Sequence, residues 1–249
     1  MIPFLKKKIY LTRSEEDNLN FQKCFNLLKP KLDTKEIFVS MPLLIICFLN
    51  IENLTISENN LIFTSRYGIK AISEIENLKL KKIYCVGKST AETAIHFGFK
   101  RVSFSEKGNV RSLVNLISKE VNKSQTFHYL RGKKVSSNLK KELSDLGYNI
   151  KETIIYRQEI KQLSEERKDL IRKGEIGGII FFSSSVAKLF CNHIKKVSDG
   201  FLFFCISDRV ADNILKSNIQ GRYIIKVAKK PNQDKIIDLI CKEVNFFIS

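Results

Sequence analysis

Two similar α/β units, each a three-layer arrangement on a mainly parallel sheet, are what this sequence predicts. The first observation behind that expectation is periodicity. Hydrophobic runs of four to seven residues alternate with longer stretches of helical period, the pattern of βαβ units. The second is an internal repeat. Ile9-Tyr10-Leu11-Thr12-Arg13, Leu61-Ile62-Phe63-Thr64-Ser65 and Cys85-Val86-Gly87-Lys88-Ser89-Thr90-Ala91 are answered by a second set. That set is His128-Tyr129-Leu130-Arg131-Gly132, Ile180-Phe181-Phe182-Ser183-Ser184 and Cys205-Ile206-Ser207-Asp208-Arg209-Val210-Ala211. Arg13 to Ser65 and Arg131 to Ser183 are each 52 residues apart; the next steps, to Ala91 and Ala211, are 26 and 28. The third is size: 249 residues form one large or two small domains, able to bury roughly 70–75% of the unfolded surface. Two matching units imply strand-end loops, rich in hydroxyls and backbone donors, that line a binding cleft.

The expected strands, in order, span 8–11, 37–39, 61–64, 82–86, 101–104, 126–130, 149–157, 178–182, 201–206 and 223–227. Helix boundaries are marked between them. Ser14 with Asp17, and Ser89 with Glu92, have capping-box spacing; Gly98, Gly147 and Gly174 stand where helices should stop. Pro30 closes the first helix and Pro231 opens the last. No Pro/Gly/Ser-rich linker separates the halves, so the extended segments 35–44 and 151–160 are the expected connections, stiff enough to act as a hinge.

Composition bounds the function. At 43% hydrophobic and 28% charged, the chain reads as an ordinary soluble globular protein. Its start, Met1 to Lys8, is a poor signal peptide, and the most apolar stretch, 42–49, is far short of the roughly 20 residues of a bilayer-spanning helix. A cytoplasmic location with no membrane partner is expected. Six scattered cysteines include no Cys-x-x-Cys pair, and only three histidines are present, so no metal site is expected and the thiols read as buried, reduced hydrophobes. The net charge of +17 suits a polyanion, although lysines spread along a lysine-rich chain also fit compositional drift. No nucleic-acid module and no basic stretch interleaved with stacking aromatics is found, so no nucleic-acid partner is expected.

Gly87-Lys88-Ser89-Thr90 matches the end of a P-loop, but position 82, where that motif needs another glycine, is Lys82. What survives is a strand end followed by a helix start, whose N–H groups and dipole hold anions. Ser183-Ser184-Ser185 and Ser207-Asp208 repeat it. Each hydroxyl alone could be a plain N-cap; the matched sets favour a shared ligand. Arg13 and Arg131 stand at equivalent strand ends, where a guanidinium grips a carboxylate with two prongs; each is equally a solvated charge or the internal partner of a nearby acid. No Ser-His-Asp constellation can be placed. Tyr156 is the polar tip of an apolar extended segment, protonated at neutral pH with a reference pKa of about 10, and so either a proton donor or a packing tyrosine.

Taken together these motifs resemble the uroporphyrinogen-III synthases nearly end to end. The matching residues are Leu11-Thr12-Arg13, Phe63-Thr64-Ser65 with Gly68, Val86-Gly87 with Thr90-Ala91 and Gly98-Phe99, and Leu130-Arg131-Gly132. They continue with Leu143 to Gly147 leading into Ile155-Tyr156, Phe182-Ser183-Ser184, and Ile206-Ser207 with Ala211. The chain departs from the family's Gly-Pro-Thr-Thr-Ala-like run at Ser207-Asp208-Arg209-Val210-Ala211, so no hydroxyl is carried over to Val210; Ser183-Ser184-Ser185 replaces a common Thr-Ser-Pro.

The resemblance implies two α/β domains joined by a two-stranded β ladder, with the active site in the cleft. Residues 1–35 and 162–249 would form one domain, 42–152 the other, and 35–44 with 151–160 the ladder. The implied reaction converts hydroxymethylbilane into uroporphyrinogen III: hydroxide leaves, an azafulvene forms, ring D is attacked at its substituted carbon, and the spiro intermediate recloses with ring D inverted. Tyr156 would be the acid. Arg13, Thr64, Ser65, Gly87, Thr90, Arg131, Gly132, Ser183, Ser184 and Ser207 would bind the eight substrate carboxylates. A monomer without cofactor is implied, with transient hand-off from hydroxymethylbilane synthase. The rival from another class is a non-enzymatic two-lobed protein that closes on a small polyanion.

Overall fold

The structure is a computed structural model that describes residues 7–135 and 137–248. The chain divides into two compact units. The first takes the chain up to Ile45 and again from Ile160, and the second is Ile46–Glu159.

In unit one, β1 (Lys8–Leu11), β2 (Phe38–Ser40), β9 (Ile176–Phe181), β10 (Phe201–Cys205) and β11 (Tyr223–Val227) form a sheet in the order β11-β10-β9-β1-β2, parallel at every pair. Side chains alternate between two cores, as period-2 strands require. Phe201, Phe203 and Cys205 enter one with Tyr10, Ile179 and Phe181, while Leu202 and Phe204 enter the other with Ile9, Leu11 and Ile180. Helices α7 (Glu165–Lys173), α8 (Ser184–His193) and α9 (Asp208–Leu215) cover the first face; α1 (Glu15–Leu28) and α10 (Gln233–Ile248) cover the second.

That split has a chiral cause. Strand-helix-strand crossovers are right-handed, so connections running in opposite directions along a sheet lay their helices on opposite faces. From β1 the chain steps one way to β2; from β9 it steps the other way to β10 and β11. Helix α1 starts at Ser14, whose hydroxyl accepts from the Asp17 N–H (3.2 Å), and it stops at Lys29 just before Pro30.

Unit two repeats the plan. Its strands are β4 (Asn60–Phe63), β5 (Lys82–Cys85), β6 (Arg101–Phe104), β7 (Thr126–Gly132) and β8 (Asn149–Ile160), with β3 (Leu44–Phe48) added outside β8, in the order β3-β8-β7-β4-β5-β6. The pairs among β4 to β8 are parallel. Helices α3 (Arg66–Ala71) and α4 (Lys88–His96) pack on one face around Leu61, Phe63, Ile83 and Leu130; α5 (Val110–Glu120) and α6 (Leu139–Asp145) pack on the other around Ile62, Tyr84, Phe127 and Tyr129. The connections again diverge, from β4 towards β5 and β6 and from β7 towards β8.

The structure corrects three expectations. Segment 35–44 holds α2 (Thr34–Ile37) and β2, and β2 pairs with β1 inside unit one. The strand beside β8 is β3, from the run Leu44-Ile45-Ile46-Cys47-Phe48, which sequence left without a strand. Leu49 N–H donates to Ile155 O (3.0 Å) and Lys161 N–H to Leu43 O (2.8 Å), so one index rises as the other falls and the pairing is antiparallel. Ser89 does not cap α4; Gly87 occupies that position. Cys24 and Cys47 are half-buried rather than buried, whereas burial pushes the Cys85 and Cys205 thiols up to about 12. Gly98, Gly147 and Gly174 do follow helix ends, with φ of 86°, 90° and 77°, where a Cβ is strained.

His128, inside β7 and fully buried, ties three segments of unit two together. Its Nδ1–H donates to Glu58 (3.0 Å), and the Thr153 hydroxyl donates to Nε2 (2.7 Å). Lys151 lies 3.9 Å from Glu58, and Lys81 donates to the Glu58 backbone carbonyl. Burial pushes the imidazole below its ordinary pKa against the pull of Glu58. Burial alone would raise the Glu58 carboxyl, but its backbone bond, His128 and Lys151 hold it low. With the folded imidazole pKa depressed, the unfolded chain takes up the proton first, so stability falls as pH drops below the ordinary histidine value of about 6.5. Glu58 adds a loss of the same sign as pH falls through the carboxylate range. The melting temperature is therefore expected to fall between about pH 7.5 and about pH 5.5. His128→Gln should melt lower at neutral pH but show a flatter slope across that window; equal slopes would refute the role of His128.

Candidate active site

Parallel strands all end at one edge of their sheet, and a crevice opens there where the connections diverge. In unit one that point lies between β1 and β9. Thr12 sits at it, its hydroxyl donating to the Ile180 carbonyl (2.7 Å). Arg13 follows, with its guanidinium over the Phe182 ring (4.8 Å from the centroid). Arg13 Nη1 donates to Gln233 Oε1 (3.0 Å), and Nη2 lies 3.3 Å from Asp17. The loop that carries it is pinned by Asn18, fully buried, which accepts from the Arg13 N–H and donates to the carbonyls of Leu11 and Arg13 and to Ser40. Sequence reading missed Asn18; its signal was a polar residue on the apolar face that continues through Phe21 and Phe25 of α1.

On the β9 side of that crevice Ser183 is the N-cap of α8, with its hydroxyl 3.1 Å from the Ser185 hydroxyl, and Ser184 donates to the Arg209 carbonyl (3.3 Å). Ser207 is the N-cap of α9 at the end of β10, and Val210 is buried in the core.

Unit two has its divergence between β4 and β7, and Thr64, Ser65, Arg131, Gly132 and Tyr156 gather there, whereas Gly87 and Thr90 follow the neighbouring β5. Thr64 directly follows β4 and shares a 2.8 Å hydrogen bond with the Tyr129 phenol. Ser65 caps α3, accepting from the Tyr67 N–H (3.2 Å), and its hydroxyl tempers the effect of burial on the Tyr156 phenol. The Tyr156 ring lies 6.0 Å from that of Tyr67 and is buried. Gly132 is demanded by this packing, because a Cβ there would stand 2.6 Å from Tyr156 Cζ. The strand register slips at Arg131/Gly132, which sets Gly132 opposite Tyr156. Burial raises the Tyr129 and Tyr156 pKa values, so both phenols keep their protons at neutral pH.

Arg131 holds an internal carboxylate. Its Nε and Nη2 donate to the two oxygens of Glu152 (3.0 and 3.3 Å), and Nη1 donates to the Gly132 carbonyl (2.9 Å). The bond from Arg131 outweighs burial and holds the Glu152 carboxyl below its ordinary pKa. The strand-end arginine of each unit thus faces a carboxylate of its own unit. Sequence reading missed Tyr129 and Glu152; alternation placed Tyr129 on the same face of β7 as Arg131, and only the register revealed Glu152 opposite Tyr129.

Gly87 and Thr90 stand at the start of α4, after β5; Gly87 is extended and Thr90 buried. A Cβ on Gly87 would meet Gly108 at 3.1 Å. Helices α4, α8 and α9 have no side-chain hydrogen bond at their N-caps, whereas α1, α2, α3, α5, α6 and α7 do. First-turn N–H groups left without a side-chain cap suit an anion. Among the described residues, no three His, Cys, Asp or Glu side chains group to hold a metal ion, and no helix is long and apolar enough to cross a membrane.

Comparison with known proteins gives a consistent picture. The structure is similar to the crystal structure of uroporphyrinogen-III synthetase from Helicobacter pylori, with a TM-score of 0.63 and 22% identity over 83% of this chain and 93% of that one. It is also similar to a mutant uroporphyrinogen III synthase from Thermus thermophilus, with a TM-score of 0.50 and 12% identity over 96% of this chain and 99% of that one. In sequence it is 26% identical to the uroporphyrinogen-III synthase of Chlorobaculum parvum over 175 residues, 67% of this chain and 70% of the relative. A family model described as Uroporphyrinogen-III synthase HemD matches residues 38–238, well over half of the sequence, and the chain belongs to that family.

Proposed function

We propose that this protein cyclises hydroxymethylbilane to uroporphyrinogen III, the reaction of its family in haem biosynthesis. The observation that carries the reading is positional. In each sheet an arginine and a hydroxyl-bearing strand end, Arg13 with Ser183 and Ser65 with Arg131, flank the point where connections diverge. Eight substrate carboxylates call for many N–H donors and guanidinium groups, which the strand ends of both units offer. The binding set is Arg13, Thr64, Ser65, Gly87, Thr90, Arg131, Gly132, Ser183, Ser184 and Ser207.

Tyr156 is the acid. Its O–H gives a proton to the departing hydroxyl, which leaves as water, and the phenolate recovers a proton when the closing macrocycle loses one. The buried phenol, which burial keeps protonated at neutral pH, supports that assignment. Pyrroles expel this hydroxyl readily, so the protein's main task is to fold the bilane until the spiro carbon is the near one. The same reading takes the enzyme as a cytoplasmic monomer that receives the bilane by transient hand-off from the enzyme that makes it.

Incubation with freshly made hydroxymethylbilane, then oxidation and separation of the porphyrin isomers, tests the function. An excess of type III over the buffer control is expected; a mixture matching buffer defeats the reading. Binding without conversion would instead favour the two-lobed binding protein. Tyr156→Phe should lower kcat by about tenfold to a hundredfold while the product stays type III, and unchanged turnover would remove Tyr156 from the mechanism. Gly132→Ala should displace the Tyr156 ring. The expected result is a stability loss of about 1–3 kcal/mol, read as a lower melting temperature, with a kcat loss like that of Tyr156→Phe. Wild-type values would show that the ring moves aside freely.

A further inference from the structure

Beside the β4/β7 divergence, unit two holds a cavity of about 420 Å³ whose lining includes Tyr129, Arg131, Asn138, Lys140 and Glu152. We propose that this cavity is an exchangeable carboxylate seat: an incoming substrate carboxylate takes the Arg131 guanidinium from Glu152, and Glu152 turns onto Lys140. The proposal rests on the function given above and adds residues which that function did not use.

Four observations carry it. The guanidinium fork already grips a carboxylate through Nε and Nη2, the two-pronged geometry that any acetate or propionate group reproduces. The pair is open to water, with side chains 16% and 30% exposed, so separating it does not strand a buried charge. Lys140, exposed on α6, lines the same cavity as Glu152, and its charge helps hold that carboxyl low. Asn138 spends its Oδ1 on the Lys141 N–H (3.1 Å), which leaves its amide NH2 as the end available to an oxygen. With Arg131 and Lys140 against Glu152, the three side chains carry one net positive charge, which a single substrate carboxylate neutralises. The Tyr129 phenol, bonded to Thr64, joins the cavity to the residues at the divergence.

The test measures uroporphyrin III binding by fluorescence, KM for hydroxymethylbilane, and melting temperature for the wild type, Glu152→Gln, Lys140→Met and the double variant. Without its resident competitor, Glu152→Gln should bind uroporphyrin III about threefold tighter, with KM falling in parallel. Lys140→Met should bind about threefold weaker in the wild-type background, and that effect should shrink when Glu152 is already Gln. Equal or weaker binding by Glu152→Gln makes the pair a structural clasp and overturns the seat. So does unchanged binding by Lys140→Met, a measurement that survives if Glu152→Gln fails to fold. Failure of the wild type to bind uroporphyrin III overturns it too. A wild type that binds the porphyrin but makes no excess of type III would sink the proposed function and leave the seat to be judged by the binding series.

Discussion

The constraint on which this structure depends is the divergence of chain connections within each parallel sheet. A right-handed crossover can be laid down in either direction along a sheet, but its direction decides the face its helix covers. Because β1 and β9 in one unit, and β7 and β4 in the other, send their chains in opposite directions, helices cover both faces. The same geometry leaves a gap at the strand ends between the diverging loops. Core and site are two consequences of one topological choice, so the candidate site residues crowd that edge while the central strands β4, β9 and β10 behind them are mainly apolar.

Electrostatics at that edge are arranged against an internal reference. A guanidinium facing only solvent would be mobile, and one sealed in the core would cost several kcal/mol to desolvate. Arg13 and Arg131 avoid both extremes: each is half-buried, fixed by a carboxylate of its own unit and supported by a neutral acceptor, Gln233 or the Gly132 carbonyl. The forks are held in position yet remain at the surface. Tyrosine is handled differently. Tyr129 and Tyr156 are buried in apolar surroundings that favour the neutral phenol, and Tyr129 keeps a hydroxyl partner in Thr64, just past the end of β4.

Much of this was legible in the chain. Ten of the eleven strands among the described residues were marked by apolar runs, and several helix limits were written in Ser14, Pro30, Gly147 and Gly174. The repeat of Arg13/Ser65 in Arg131/Ser183 signalled two copies of one architecture. The exception, β3, lay in the most apolar stretch of the sequence, where a run with no alternation and no glycine carries no mark of pairing. Ser89 looked like a cap because its spacing to Glu92 was right, but Gly87 had already started the helix one residue before Lys88.

What the repeat by itself could not give was partnership. It presented Arg13 with Ser65 and Arg131 with Ser183 as successive motifs of each half, and only the family resemblance implied crossed domains; the fold pairs Arg13 with Ser183 and Ser65 with Arg131, because each half gives strands to both units. Likewise Arg131 showed its charge but not Glu152, and Gly132 showed its absent side chain but not the Tyr156 ring that requires it. Local patterning records which face of a strand is apolar and where a helix may begin, since those properties depend on neighbours in the chain. Register and strand order bring together residues more than 20 positions apart, and only the closed sheet decides them.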